Sequence, residues 1–409
     1  MRPGESSAEA WMPAQEASWL MLSALPRVKK AGVLVRDIHV ELVSPPAVSK
    51  LTVTSKVLGG GSSTADPDAE HPLVVAAVDP RGGALLLCST TKFAADADPA
   101  DAAAFRLKYS LVDTVGESFS CFLGPSDPKS VGLVRREGAA RGQLLVVGLH
   151  FAPDSDEATL CYRAPKSGDK HWTQEKMLGF LRPLTESGRF WAADGVVTVG
   201  GSVCWFDLAE GLIVCDDIFS GDKALRFIQL PPGCGITNEA SREELRKSRL
   251  VQVSDGKIRL VIVDRVGAEP SLVLWTLVDG QHNWMPEPEF TVSLTHILAP
   301  GPVLVPEIGL IHPHLPWSIF IRQGGCFRVV DARSATVCGD HDVSVEDPLL
   351  VWKLPPVFKR RLEESLSTGF VSFVARVMSG MCYLLDRLEE DDDEEGEHRR
   401  LALRSFSLR

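Results

Sequence analysis

Apolar positions along this chain come in short runs that end in turn signals. "VGLVRREGAARGQLLVVGLHF" begins at Val131, "GVVTVGGSVCWFDL" at Gly195, "SRLVQVSDGKIRLVIVD" at Ser248 and "IGLIHPHLPWSIFIRQ" at Ile308. Each reads as a strand, a polar or glycine turn and a second strand. Near-continuous runs such as "IRLVIV" predict strands covered on both faces. A further pair of strand-like stretches follows each hairpin, twice centred on a tryptophan, Trp172 and Trp284. The starts are spaced by about 55–65 residues, so each unit holds about four strands, the content of one propeller blade.

One period earlier lies "HPLVVAAVDPRGGALLLCSTT" from His71, and one period later "TGFVSFVARVMSGMCYLLDRL" from Thr368. Residues 368–388 fit either a hairpin or a helix. Phe370, Val374, Val377, Met381, Leu384 and Leu388 form a helical stripe, whereas Gly369 and Ser379-Gly380 suit a hairpin, which the period favours. The expected fold is all-β, a six-bladed β-propeller with blades starting near 71, 131, 195, 248, 308 and 368. A strand from "GVLVRDIHVELVSPPAVSKLTVTSK" (32–56) is expected to complete the last blade and leave no edge open. Residues 1–17 read as a disordered N-terminus, and 18–409 as a single domain.

Composition narrows the class. Apolar residues are 44% and charged residues 24% of the 409, as in ordinary globular proteins. No apolar run reaches 18 residues and no secretory signal is visible, so the expected location is cytoplasmic or nuclear. The nine cysteines are widely spaced, with no C-x-x-C, and read as buried thiols rather than disulfides or zinc ligands. Of the net charge of −11, eight negatives sit in "EEDDDEEGE" (389–397), read as an acidic loop. The remainder is nearly neutral, which argues against nucleic acid as a partner.

Candidate chemistry is thin. Gly200-Gly201 precedes a strand instead of opening a helix, so it reads as a hairpin turn rather than a dinucleotide loop. "LGGGSS" lacks the Lys-Ser/Thr of a phosphate loop. Ser202 lies outside any nucleophile elbow. Cys204 and Cys215 alternate with bulky apolar residues and read as core, and Trp205 as a between-blade packing residue. Asp207, Asp216 and Asp217 follow strands and suit turn caps. His312 and His314 share a strand face but lack a third ligand, and read as a turn at a blade rim. His341-Asp342 has no nucleophile opposite, and "FKRRLEE" (358–364) reads as a charged loop. On the inner strands, Arg135 and Arg136 stand with few acids, too little for catalysis. No catalytic residue, cofactor-binding residue or metal ligand is assigned, and no cofactor is expected.

The stretch "GGSVCWFDLAEGLIVCDD", with "LRFIQLPPG" after it, resembles the plant, grass-expanded domain of unknown function 1618 family. The pattern is carried by Gly200, Gly201, Trp205, Asp207, Leu208, Gly211, Leu212, Cys215 and Asp216, and the resemblance runs from about Trp19 to Trp352. The strand grammar is also similar to F-box-associated propellers, without an F-box-like helical segment ahead of the repeats. The resemblance implies a plant protein and no established activity. The expected function is a non-catalytic protein-interaction scaffold with unknown protein partners, no nucleic acid and no membrane. The alternatives are an enzyme with its site in the propeller channel and an adaptor-recruited ubiquitin-ligase substrate receptor. Loops at 59–70, 98–106 and 389–398 are expected to carry specificity.

Overall fold

The computed structural model describes residues 19–29, 38–54, 73–90, 107–113, 118–124, 127–136, 143–151, 157–165, 172–183, 190–234, 241–264, 269–278, 283–295, 297, 306–323, 326–342 and 347–354. The chain opens with β1 (Trp19–Ser23), β2 (Arg27–Lys29), β3 (Ile38–Glu41) and β4 (Val48–Thr54). Five four-stranded blades follow. The first holds β5 (Leu73–Val78), β6 (Ala84–Thr90), β7 (Leu107–Asp113) and β8 (Ser118–Gly124). The second holds β9 (Val131–Arg135), β10 (Leu144–Phe151), β11 (Glu157–Arg163) and β12 (Thr173–Leu181). The third holds β13 (Gly195–Val199), β14 (Ser202–Asp207), β15 (Gly211–Cys215) and β16 (Leu225–Gln229).

A short helix, α1 (Arg242–Ser248), leads into the fourth blade. That blade holds β17 (Arg249–Ser254), β18 (Lys257–Asp264), β19 (Ser271–Val278) and β20 (Asn283–Pro286), and β21 (Val292–Ser293) also pairs with β19. The fifth holds β22 (Glu307–Ile311), β23 (Ser318–Gln323), β24 (Cys326–Asp331) and β25 (Thr336–Asp342). Every blade is an antiparallel meander, so the ends of its first and third strands share one end of the molecule. The fold is all-β and a β-propeller.

A further sheet is assembled from both ends of the described chain. β26 (Leu349–Lys353) pairs antiparallel with β1, β1 and β2 pair parallel with β4, and β3 pairs antiparallel with β4. The partner expected for the N-terminal strands, 366–409, lies outside the described residues. The strand from the far end of the chain that joins them is Leu349–Lys353, which the repeat spacing left outside any unit. Residues 1–17, the blade expected from 368, the loops at 59–70 and 98–106, the charged stretch 358–364 and the acidic run 389–397 also lie outside the described residues.

Successive sheets share apolar cores. Leu86, Tyr109 and Leu133 meet between the first and second blades, and Trp191, Trp205 and Ile213 between the second and third. Leu212, Leu245 and Leu260 join the third and fourth, and Val261, Leu274 and Ile319 the fourth and fifth. Trp19, Phe320 and Phe327 join the fifth blade to the closing sheet, and Leu20, Leu85 and Trp352 join that sheet to the first blade. Trp172 and Trp284 each stand at the outermost strand of a blade. Their indole nitrogens donate back to the outermost strand region of the preceding blade, to the Leu123 and Gln229 carbonyls at 2.6 and 3.0 Å.

Gly82 sits where the first blade meets β26. Its φ is +89°, and a Cβ there would overlap the Lys353 carbonyl. Gly82→Ala is therefore expected to cost about 2 kcal/mol or more, from the left-handed backbone and the clash together. Thermal denaturation beside Gly221→Ala, whose Cβ meets nothing within 4 Å, checks this. Equal melting temperatures for the two would show that this seam is not close-packed.

Candidate interaction faces

Polar side chains gather at the two ends of the blades. At the end reached by first and third strands, Asp79 follows β5, Asp113 ends β7 and Arg135 ends β9. The Arg135 Nε donates to Asp79 Oδ2 at 2.7 Å, and a terminal nitrogen donates to Asp113 Oδ1 at 3.2 Å. All three are buried. Burial lifts the Asp79 carboxyl above its ordinary range, against the pull of the Arg135 charge. Asp79 also accepts the Arg81 main-chain N–H at 3.0 Å, so it caps the turn as well as anchoring the next blade. Arg136 is exposed, with its guanidinium over the Phe219 ring.

The opposite end carries a second network. Asp207 is wholly buried at the end of β14. Its Oδ1 accepts from Ala209 N at 2.9 Å, and its Oδ2 from Ala192 N and Arg242 at 2.9 and 3.0 Å. Asp194, just before β13, accepts from Leu208 N at 3.0 Å, and from Arg242 and Arg246 at 3.1 and 2.9 Å. Both arginines belong to α1, so the two carboxylates clamp that helix onto the third blade. The helix starts at a capping box. Ser241 Oγ accepts from Glu244 N, and the Glu244 carboxylate accepts from Ser241 N at 2.7 Å. Exposed Lys129 stands close by, its ammonium pKa lowered by partial burial and by the Arg246 charge.

The other sequence candidates fall as follows. Gly200, with φ +60°, makes the turn from β13 to β14 with Gly201. The Ser202 hydroxyl donates to the Asp216 carbonyl. Asp217 Oδ1 accepts from Phe219 N at 2.9 Å, closing a turn, and Asp216 pairs with Arg226. Cys204 and Cys215 are buried, and burial pushes the Cys215 thiol up to about 11. Trp205 is wholly buried between the second and third blades, and its Nε1 donates to the Ser130 carbonyl at 2.8 Å. His312 is buried and His314 exposed, in the turn after β22. His341 and Asp342 belong to β25. Among the described residues, no group of three or more His, Cys, Asp or Glu side chains could hold a metal ion. No helix among them is long and apolar enough to cross a membrane.

Sequence reasoning passed over Asp79, Asp113, Asp194 and α1. The box Ser241-Arg242-Glu243-Glu244 was a readable signal for the helix.

The third blade, from Trp205, with the fourth and the start of the fifth, is also where the chain meets known sequences. Residues 205–318 match the model of a protein family of unknown function, DUF1618. The chain carries a DUF1618 region. Asp207, Trp205 and α1 lie inside this DUF1618 stretch, whereas Gly200-Gly201 and Asp194 stand just before it. No curated protein matches the chain. Solved structures similar to the DUF1618-bearing chain include an α-L-arabinanase of Penicillium chrysogenum, at 11% identity and TM-score 0.32, covering 64% of this chain and 80% of that one. The catalytic domain of a GH62 α-L-arabinofuranosidase from Coprinopsis cinerea is similar at 11% identity and TM-score 0.31, covering 82% and 96%. Prolyl oligopeptidase B of Galerina marginata is similar at 12% and 0.32, covering 67% of this chain and 34% of that one. At this depth none of them brings an activity or a substrate to the DUF1618 protein.

Proposed function

We propose that this chain is a non-catalytic protein-interaction scaffold, a single six-bladed propeller domain whose sixth blade is the closing sheet of β26 and the N-terminal strands. The observation that carries this reading is the use made of the charges at the two ends. Asp79, Asp113 and Arg135 bind one another, and Asp194 and Asp207 are taken up by α1 and by turn N–H groups. An acid-base site needs a carboxylate free to reach substrate, and these are occupied in holding the frame. What the frame presents is α1, clamped through Arg242 and Arg246, with Glu243 and Lys247 outermost. Rigid placement of a short exposed element lowers the ordering cost of binding. The partner is a protein, in the cytoplasm or nucleus of a plant cell.

Quantitative co-purification from plant cells tests this, with full-length chain beside the double variant Glu243→Lys/Lys247→Glu. The expected result is a set of proteins retained by the wild type and lost, several-fold, from the variant. A partner set indifferent to α1 would discard this face. Turnover of a glycan or peptide by the purified chain, abolished in Asp79→Asn, would replace the scaffold with an enzyme.

A further inference from the structure

The turn after β22 joins three sheets. Its His312 carbonyl accepts from Ser254 Oγ at 2.6 Å, and its Pro313 carbonyl from Asp255 N at 2.8 Å, both at the end of β17 in the fourth blade. Its His312 main-chain N–H donates to the Ser318 carbonyl at 2.9 Å within the fifth blade. Its His312 ring stands edge-on to Trp19 of the closing sheet, with centroids 4.9 Å apart. We propose that this turn is an acid-sensitive latch: neutral His312 holds the fifth blade to the closing sheet, and a proton on its Nδ1 releases that seam.

The chemistry follows from what the ring nitrogen is doing. Nδ1 accepts main-chain N–H groups from His314 and Leu315, at 3.1 and 3.0 Å. A nitrogen that accepts carries no proton, so this hydrogen-bond pattern assigns the neutral ring's proton to Nε2. Protonating Nδ1 would turn it into a third donor facing two donors. Both bonds would be lost, and the turn that positions the ring against Trp19 would have to open.

The surroundings offer the cation little relief. The ring is wholly buried, and β1 contributes no titratable side chain. Asp255 and Lys257 lie exposed in the turn between β17 and β18, and Lys353 ends β26. On β22 and β23 the charged side chains, Glu307 and Arg322, pair with each other at the opposite end of the blade. His314, with its ring centroid 6.1 Å away, opposes a second positive charge. Burial first, and His314 second, bring the His312 pKa down from 6.5 to about 4. Because the folded value is depressed, the latch is at full strength above pH 6.5, the unfolded value, and weakens as pH falls toward 4.

Hydrogen–deuterium exchange of the full chain, corrected for the intrinsic effect of pH, reads the latch directly. In the wild type, peptides covering 19–23 and 312–318 should open on the order of 100-fold more readily at pH 4 than at pH 7. In His312→Asn, whose side-chain oxygen can accept a turn N–H but cannot be charged, that rise should vanish. An equal rise in both proteins would overturn the proposal. Should the variant fail to fold, ¹⁵N-histidine spectra of the wild type decide instead. A His312 ring with its proton on Nε2 that titrates near pH 4, together with a change in the Trp19 indole signal, supports the latch. A ring that titrates near 6.5 while Trp19 stays unchanged overturns it.

Discussion

Arg135→Met is expected to cost about 3–5 kcal/mol, because it leaves two buried carboxylates without their counter-charge. Asp79 is fully enclosed and Asp113 is 2% exposed, so water cannot take over the role of the guanidinium. The loss should depend on pH in a defined sense. Burial already lifts the Asp79 carboxyl, and removing Arg135 lifts it further. A carboxyl whose folded pKa is raised binds its proton more tightly when folded. The gap between variant and wild type is therefore widest at neutral pH and narrows as pH falls through that raised value. The triple variant Asp79→Asn/Asp113→Asn/Arg135→Met should recover most of the loss, since no charge is left to strand. Urea midpoints at pH 7 and pH 5 measure all of this. A single variant within about 1 kcal/mol of wild type would show that the triad does not bind the first blade to the second.

Trp205→Ala should cost about as much, roughly 3–5 kcal/mol, by opening a cavity between the second and third blades. Its indole is wholly buried among Val134, Leu160, Val203 and Ile213, and it donates across the gap to Ser130. Trp205→Phe separates the two contributions. It keeps most of the apolar volume and leaves the Ser130 carbonyl without that donor, for an expected loss of about 1–3 kcal/mol. Thermal denaturation of both variants ranks them. Indifference to Trp205→Ala would mean that this contact does not hold the blades together.

The hairpins were legible because they are local. Gly200-Gly201 between two β-branched runs specifies both a turn and a register over a dozen residues. The triad was not legible, because Asp79 and Arg135 are 56 residues apart and meet only when neighbouring blades dock. Taken singly, each is a polar residue at a strand end, which reads as a turn cap. α1 carries a capping box but buries one side chain, Leu245, so it shows no apolar stripe. The closing sheet was the hardest part to read. β1 and β2 lie parallel to β4, and β1 finds its other partner in β26, more than 300 residues away. A repeat period describes meanders and says nothing about a parallel, non-local pairing. For the candidate face, the residue types were visible in the sequence, but their mutual neutralisation was a product of folding.

Assembling one sheet from both ends of the chain has a consequence for synthesis. The strand "WLMLS", buried along its whole length in the finished fold, is made early, and its partner Leu349–Lys353 emerges more than 300 residues later. At about 5–20 residues per second, the ribosome leaves β1 waiting on the order of 15–60 s for that partner. Throughout that interval a sticky apolar strand is exposed to other nascent chains. The N-terminal segment is thus the part of this protein most in need of a chaperone, even though in the native state it is among the best protected.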